Sequence, residues 1–295
     1  MQPALEWIDH SHRSKYRIVY TDQELGIPGL RMFGKHTMNQ ACAPLAPHFH
    51  REAYEFTFVT EGAINFTVGD DDYGLSGYDI FMTKPNEVHS TNLLPLSAGE
   101  IIWFQLDVSD PGHFLFLNRQ AAKDCIQQLS LLARHRFRPG RGRIFDSIKR
   151  SFALAAHPQQ RYLASSCLLT ALYEIMALPG SDGQAVTPDI ERVLLYIREH
   201  LSGELPLEEL AAICRLSVSQ FKQKFRTQVG IAPRHYINYA KIGLAKQLLA
   251  QGKSVTDTAM ELGFCNSSYF TVVFKRYAAL TPTEYLGSLQ AADRG

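Results

Sequence analysis

The sequence predicts an α+β protein with two domains, an all-β domain followed by an all-helical one. Short runs rich in aromatic and β-branched residues, separated by Gly, Pro and Asp, occupy residues 31–107 and indicate strands. From residue 189 onward, apolar residues recur at the helical period of i, i+3, i+4 and i+7. A Gly- and Pro-containing stretch between these patterns is typical of a linker. We therefore expect domains at residues 1–178 and 189–295, joined by a linker at 179–188.

The β region contains four runs that we interpret as strands, at residues 54–60, 64–68, 78–82 and 101–106. Several short strands with turn residues between them at this spacing favour a barrel or sandwich.

Three helices are predicted to follow the strands, at residues 118–134, 143–156 and 161–177. The first and the last of them carry apolar stripes. Packing against the helix's own barrel and contact with a second copy of the chain explain the stripes equally well.

The composition predicts an intracellular location. The five cysteines are odd in number and widely spaced, which is typical of reduced residues in the cytoplasm. No stretch reaches the roughly 20 apolar residues of a membrane span, and the first thirty residues lack the apolar run of a signal peptide. We expect a cytoplasmic protein that has no membrane partner.

A helix-turn-helix motif is predicted at residues 255–285. Ser254 and Asp257 have the spacing of a capping box at the start of one helix, and Gly263 stands where a left-handed residue ends it. The next helix carries a buried stripe, formed by Phe270, Val273, Phe274 and Tyr277.

The same layout occurs about fifty residues earlier, as a helix at 207–213 and a second helix that begins with Ser217 and Gln220 as a capping box. A longer helix at 235–251 connects the two motifs. Two such motifs on one connecting helix suit successive major-groove segments, which lie roughly 34 Å apart.

Polar side chains on the outer faces of the two second helices are the predicted DNA contacts. In the first motif these are Ser219, Gln220, Lys222, Gln223 and Arg226. In the second motif they are Ser267, Ser268, Thr271, Val272 and Lys275.

Charge supports this prediction locally. Residues 215–276 contain ten basic and two acidic residues, a net charge of +8, whereas the whole chain carries +1. A basic segment on a mildly acidic body is typical of a module that binds phosphates. A helical bundle with a solvated basic face is the alternative.

Residues 205–285 resemble the DNA-binding domain of the AraC/XylS family of transcription regulators. The resemblance runs through LEELAAICRLSVSQFKQKFRTQVGIAPRHYI, AKIGLAKQLL and VTDTAMELGFCNSSYFTVVFKRYAALTPTEY. Four positions depart from the family pattern: Ala279 replaces a usual Gly, Val272 stands where many members carry Arg, Lys241 replaces a commoner Arg, and Gly243 replaces a commoner charged residue.

Three imidazoles and a carboxylate form the candidate site of the first domain: His48, His50, Glu55 and His89. His48 and His50 point to the same side of a strand, and such a set suits a divalent ion such as Mn²⁺, Fe²⁺ or Ni²⁺. The spacing resembles the cupin motifs, with Asn86 as a departure from the second of them. We expect these residues to line an effector pocket without a metal.

The leading hypothesis is a ligand-responsive, sequence-specific transcription regulator, an activator of a metabolic operon; the family resemblance suggests carbohydrate metabolism. It has a cupin-like β-barrel with packed helices as its sensor domain. The implied partners are double-stranded promoter DNA, RNA polymerase, a small-molecule effector such as a sugar, and a second copy of the chain. No cofactor and no enzymatic activity are expected. The alternatives are a metal-dependent cupin enzyme with an accessory helical domain, and an interaction module, which conflicts with the basic segment.

Overall fold

The structure is a computed structural model that describes residues 5–6, 13–92, 94–179 and 187–292. The chain divides into an N-terminal unit, within residues 1–37, 44–93 and 99–185, and a C-terminal unit, within residues 38–43, 94–98 and 186–295. Most of the predicted linker, residues 180–186, lies outside the described residues. None of the described helices is long and apolar enough to cross a membrane.

The N-terminal unit is rich in strands. They are β1 (Leu5–Glu6), β2 (Arg17–Thr21), β3 (Leu30–Met38), β4 (His48–Phe49), β5 (Ala53–Glu61), β6 (Ala63–Val68), β7 (Asp71–Ser76), β8 (Ile80–Thr83), β9 (His89–Ser90), β10 (Gly99–Asp107) and β11 (Arg136–Phe137). The described helices are α1 (Asp22–Leu25), α2 (Arg119–Ser130), α3 (Arg143–Ala155) and α4 (Arg161–Met176), with a 3₁₀ turn at Pro158–Gln160.

Two described sheets pack face to face. One has the strand order β1-β4-β9-β6-β7 and the other the order β11-β8-β5-β10-β3-β2. Phe66 of the first sheet stacks on Phe81 of the second, with ring centroids 4.5 Å apart. This arrangement confirms the predicted sheet-rich first domain.

Strand alternation divides the second sheet into two faces. Phe56, Phe58 and Phe104 lie on the face that points away from the other sheet. They form one buried cluster with residues of α2, α3 and α4, such as Leu129 and Leu168. The intervening residues face the other sheet. The predicted helices therefore pack against the second sheet, and the apolar residues on their inward faces contact it.

The prediction missed β7, because Asp71, Asp72 and Gly74 were interpreted as turn residues. In the structure β7 pairs along its length with β6, with Phe66 opposite Tyr73. Cross-strand pairing outweighs the low strand propensity of Asp and Gly. The strand β2 and the short α1 lie before the region in which strands were expected.

The C-terminal unit is helical. Its described helices are α5 (Pro188–Glu199), α6 (Leu207–Ile213), α7 (Val218–Val229), α8 (Pro233–Ala250), α9 (Val255–Glu261), α10 (Ser267–Ala278) and α11 (Pro282–Ala292). Helices α6 and α7 form the first helix-turn-helix motif, and α9 and α10 form the second. The predicted pair of motifs on a connecting helix is confirmed.

Local capping explains where these helices begin. The Ser217 hydroxyl accepts a hydrogen bond from the Gln220 amide, and the Gln220 side chain returns to the Ser217 amide. Ser254 caps α9 in the predicted way. However, the Asp257 carboxylate accepts from the Ser254 hydroxyl, at 2.6 Å, so the reciprocal bond there is between side chains.

Candidate ligand site and DNA interface

The structure brings the four predicted ligand-site residues of the N-terminal unit together. His48 on β4 is directly opposite His89 on β9 in an antiparallel pair, and their ring centroids are 4.2 Å apart. The ring of His50 lies 5.3 Å from each of the other two. Glu55 reaches the same place from β5 of the other sheet. We call these four residues the histidine cluster.

The Glu55 carboxylate lies between two of the imidazoles. Its Oε2 is 3.0 Å from His50 Nε2 and its Oε1 is 3.6 Å from His89 Nε2. Gln105 Nε2 donates to Glu55 Oε2 at 3.1 Å and fixes its orientation. Gln105 was missed from the sequence, although a lone amide inside the apolar strand IIWFQL is a signal for such a role.

Backbone carbonyls orient two of the imidazoles. His48 Nδ1 donates to the Ala46 carbonyl at 2.7 Å, and His89 Nδ1 donates to the Glu87 carbonyl at 3.2 Å. Since a carbonyl only accepts, Nδ1 of each ring carries a proton, and in the neutral form of either ring the lone pair is on Nε2. His89 Nε2 is buried without a hydrogen-bond partner. A buried acceptor without a hydrogen bond destabilises the fold. The position of this nitrogen therefore indicates that a bound ligand would complete the site.

The histidine cluster is almost closed to solvent, with side-chain exposures of 2% for His50, 0% for His89 and 12% for Glu55. Burial, and then the neighbouring His89, lower the pKa of His48 to about 4. Burial alone would raise the pKa of Glu55, but the adjacent His50 outweighs it and holds that pKa well below its usual range. Glu55 is therefore an anion at neutral pH, and His48 is neutral.

These properties fit a divalent transition-metal ion. Ligand atoms of the three histidines lie within 4.8 Å of one another. Metal-binding histidines are neutral and characteristically donate their second ring nitrogen to a carbonyl or carboxylate. His48 and His89 do so, and Glu55 supplies an anionic oxygen beside them. An ion would also satisfy His89 Nε2.

On α7 the structure places the predicted DNA contacts on one exposed face. Phe221, Phe225 and Val229 are buried on the opposite side. Gln220 is exposed, but its amide oxygen already accepts from the Ser217 amide and hydroxyl. Among the predicted set, the exposed side chains are Ser219, Gln220, Lys222, Gln223 and Arg226.

On α10 the predicted face is less polar. Val272 is 65% exposed, while Thr271 is half-buried and donates its hydroxyl to the Ser267 carbonyl of its own helix, at 2.8 Å. Ser267 is also half-buried, whereas Ser268 and Lys275 are exposed. Tyr269 is half exposed and was not predicted, because it adjoins Phe270 of the buried stripe.

The basic surface is smaller than the segment's charge suggested. Lys224 pairs with Asp189 at 2.7 Å, Lys253 pairs with Glu261, and Lys241 is buried. Lys246 is half-buried, 5.9 Å from the Tyr285 ring centroid. The exposed members of the ten are Arg215, Lys222, Arg226, Arg234, Lys275 and Arg276.

Comparison with models of protein families shows to which family the chain belongs. A model of the AraC-like ligand binding domain matches residues 33–187, just over half of the chain. The chain belongs to the AraC family. A model of a helix-turn-helix domain matches residues 210–288 and covers most of both motifs. The family predicted from the sequence is thus confirmed.

Several proteins of known name are similar to this AraC-family chain. The MmsAB operon regulatory protein of Pseudomonas aeruginosa is 32% identical over 139 residues, 46% of this chain and 44% of that protein. The probable transcriptional regulator LumQ of Photobacterium leiognathi is 36% identical over 91 residues, 30% of this chain and 37% of that one. The chain spans less than half the length of these relatives.

Among solved structures, the DNA-binding domain of the global transcriptional factor AdpA, in complex with a target DNA, matches with a TM-score of 0.34. It is 27% identical and covers 35% of this chain and 95% of that one.

Proposed function

We propose that the protein is a ligand-responsive, sequence-specific DNA-binding transcription regulator. The observation that carries this proposal is the pair of capped helices α7 and α10, each with a buried apolar stripe and an exposed outer face. Two relatives are named as regulators, which supports this class over a metal-dependent enzyme. Promoter DNA is the partner that these faces suit.

DNA binding is tested with the full chain. Its preferred duplex is selected from a random library, and the dissociation constant is measured against salt concentration. Each phosphate neutralised contributes about 0.9 to the slope of log K against log[salt]. Arg226→Ala, which removes an exposed cation of α7, should lower the slope by about one such step. Lys224→Ala is the matched control on the same helix, because Lys224 is paired with Asp189. A folded chain without salt-sensitive binding would contradict the proposal.

We further propose that the histidine cluster is the effector site and that it takes a divalent transition-metal ion. Burial argues for a small occupant, since even the most exposed of the His50, His89 and Glu55 side chains is 12% exposed. His48, His50, Glu55 and His89 would hold the ion. When bound, the ion would supply a positive charge that holds ligand atoms from both sheets together.

A sugar or related metabolite, which the family resemblance suggests, is the competing effector. Within the described part of the N-terminal unit, a cleft of about 490 Å³ offers polar groups suited to hydroxyls. Asp22, Arg31 and His113 line it, and Arg31 is paired there with Asp107 at 2.6 Å.

Elemental analysis separates the two effectors. Protein purified without chelator should carry about one transition ion per chain, and His89→Ala should lose it, because the remaining ligands bind more weakly. His36→Ala is the matched control, since His36 is a partly buried histidine of β3 outside the cluster. If wild-type protein exposed in turn to Mn²⁺, Fe²⁺, Ni²⁺ and Zn²⁺ retains none, a metabolite screen against the cleft follows.

The proposal also covers the oligomeric state, the location and the protein partner of this chain. We propose a cytoplasmic homodimer that acts on RNA polymerase at a promoter. The outer face of α4 supports dimerisation, because Tyr162, Leu163 and Tyr173 are exposed there. Light scattering of wild-type protein and of Leu163→Glu tests it, and a monomeric wild-type chain would contradict it.

A further inference from the structure

Lys241 occupies an unusual position in the connecting helix α8. Ile237, one turn earlier, belongs to a buried cluster with α5, α6 and α7, which we call the first core. Ile242, the next residue, belongs to a buried cluster with α9 and α10, which we call the second core. Lys241 stands at the boundary, and only 5% of it is exposed.

The Lys241 ammonium bridges backbone from both sides of this boundary. Nζ donates to the Gly203 carbonyl at 2.6 Å and to the Leu262 carbonyl at 2.6 Å. Gly203 lies in the loop that leads into α6, and Leu262 is the residue that ends α9. We call Lys241, Gly203 and Leu262 the Lys241 joint.

The bonds of the joint are strong for their type. Hydrogen bonds from an ammonium are about twice as strong as neutral ones, and the carbonyl at the end of α9 otherwise lacks an intrahelical partner. Burial, and then the charge of Arg234, lower the pKa of Lys241 to about 8. The side chain is therefore mainly protonated at neutral pH. Phe264 adds a ring whose centroid is 5.6 Å from Nζ.

Close backbone packing leaves the joint little freedom to shift. The Gly203 amide donates to the Glu261 carbonyl at 2.7 Å. A Cβ on Gly263 would lie 2.2 Å from the Gly203 carbonyl carbon, well inside contact distance. The turn of the second motif is thus held against the loop that enters the first motif.

We propose that Lys241 is a positioning residue that fixes the spacing between α7 and α10, so that the protein discriminates the distance between two half-sites on DNA. Each motif packs in its own core, and the two cores share α8. A bridge at their boundary therefore sets how the two DNA-reading faces are placed relative to each other. This inference rests on the proposed DNA binding.

The test measures spacing discrimination by the full chain. The selected duplex is compared with versions that carry one or two extra base pairs between the half-sites. For wild type, two extra pairs should weaken binding about tenfold or more. For Lys241→Met the same insertion should cost less than about threefold, because the faces can adjust. Lys241→Arg, which keeps a cation with several donors, should restore the wild-type penalty.

Lys246→Met is the matched control. Lys246 lies on the same helix, but its ammonium is near Tyr285 of the second core. It should keep the wild-type spacing penalty. A general loss of stability would lower affinity for all spacings equally, whereas the joint predicts a change in their ratio.

Each outcome decides the matter. If Lys241→Met keeps the wild-type ratio, the inference is wrong, although DNA binding itself stands. Absence of salt-sensitive DNA binding by the wild type would instead remove the proposed function. Lys241→Gln, which keeps a polar end, serves if the Met variant does not fold. Should neither fold while Lys241→Arg does, Lys241 is a folding residue and the positioning role is overturned.

Discussion

The two helix-turn-helix motifs share a framework and differ in what they display. Ser217 caps α7 by accepting from the Gln220 amide, and Asn266 caps α10 by accepting from the Tyr269 amide at 2.7 Å. The outer face of α7 presents Lys222 and Gln223, whereas α10 presents Val272 at the centre of its face. Lysine and amide side chains suit guanine and adenine edges, while an apolar contact suits at most a thymine methyl. We therefore expect the first motif to read more of the base sequence than the second.

Their turns also differ. Arg215 in the first motif and Gly263 in the second both adopt left-handed backbone, with φ of 55° and 67°. Arg215 adopts this conformation at a steric cost that Gly would avoid. Gly263 is required for a second reason, because a side chain there would meet Gly203 backbone. Both turns therefore need a left-handed residue. The first motif tolerates Arg there, whereas the second motif requires Gly.

The largest expected effect is that of Gly263→Ala. The new Cβ combines a left-handed φ with a contact of 2.2 Å to backbone, so the free energy of unfolding should fall by about 3 kcal/mol or more. Arg215→Gly is its counterpart and should raise it by up to about 1 kcal/mol. Urea unfolding of the full chain measures both. Equal losses from the two changes would break the comparison.

The next largest effect is a pH dependence of the free energy of unfolding, which arises from Lys241 in the helix between the two motifs. Because the folded pKa of Lys241 is about 8, below the ordinary 10.4 or so of lysine, the unfolded chain binds more protons between these values. Stability from this residue should therefore rise by about 2 kcal/mol from pH 8 to pH 10 and be lost as pH falls through 8. Urea unfolding at each pH should show a rise that is about 2 kcal/mol smaller in Lys241→Met than in wild type; Lys246, whose pKa burial also lowers, contributes to both. An identical pH profile for both would refute the assignment.

Base preference distinguishes the outer faces. Gln223→Ala should relax selectivity at one base pair, at a cost of roughly 1–3 kcal/mol for the preferred base. Val272→Ala should change selectivity less, since it removes only methyl contacts. Competition binding against duplexes substituted one base pair at a time measures both. Equal loss from both variants would show that the motifs share base reading.

The smallest effect concerns the ends of the two second helices. Gly230 follows α7 with φ of 81°, and Ala279 follows α10 with φ of 63°. Ala279→Gly should stabilise the chain by about 1 kcal/mol or less, and Gly230→Ala should destabilise it. Thermal unfolding checks the two signs. A Gly at residue 279 that lowers the midpoint would contradict this account of the cap.

Much of the helical fold could be predicted because its causes are local. Ser217 and Gln220 are three residues apart, and the stripe from Phe270 to Tyr277 follows the helical period. The Lys241 joint could not be predicted, since its partners are 38 and 21 residues away in sequence. The strand β7 was missed for a related reason, because only pairing with β6 explains it.

The candidate site shows the same limit. The His48-x-His50 spacing predicted that two imidazoles lie on one side of a strand. The structure brings their ring centroids to 5.3 Å, although His50 lies just after the end of β4. The depth of burial and the orphaned His89 Nε2 depend on how two sheets pack, which no local pattern contains. Gln105 was overlooked because its partner Glu55 is fifty residues away.

The central claim is that ligand binding in the N-terminal unit changes DNA binding by the C-terminal unit. The most direct measurement is the dissociation constant of the full chain for its selected duplex, without metal and with Mn²⁺, Fe²⁺, Ni²⁺ or Zn²⁺ in turn. Coupling of this kind typically changes affinity about 5-fold or more. We predict such a change with at least one ion in wild type and none in His89→Ala. An unchanged constant for metal-loaded wild type, or the same change in His89→Ala, would contradict the account.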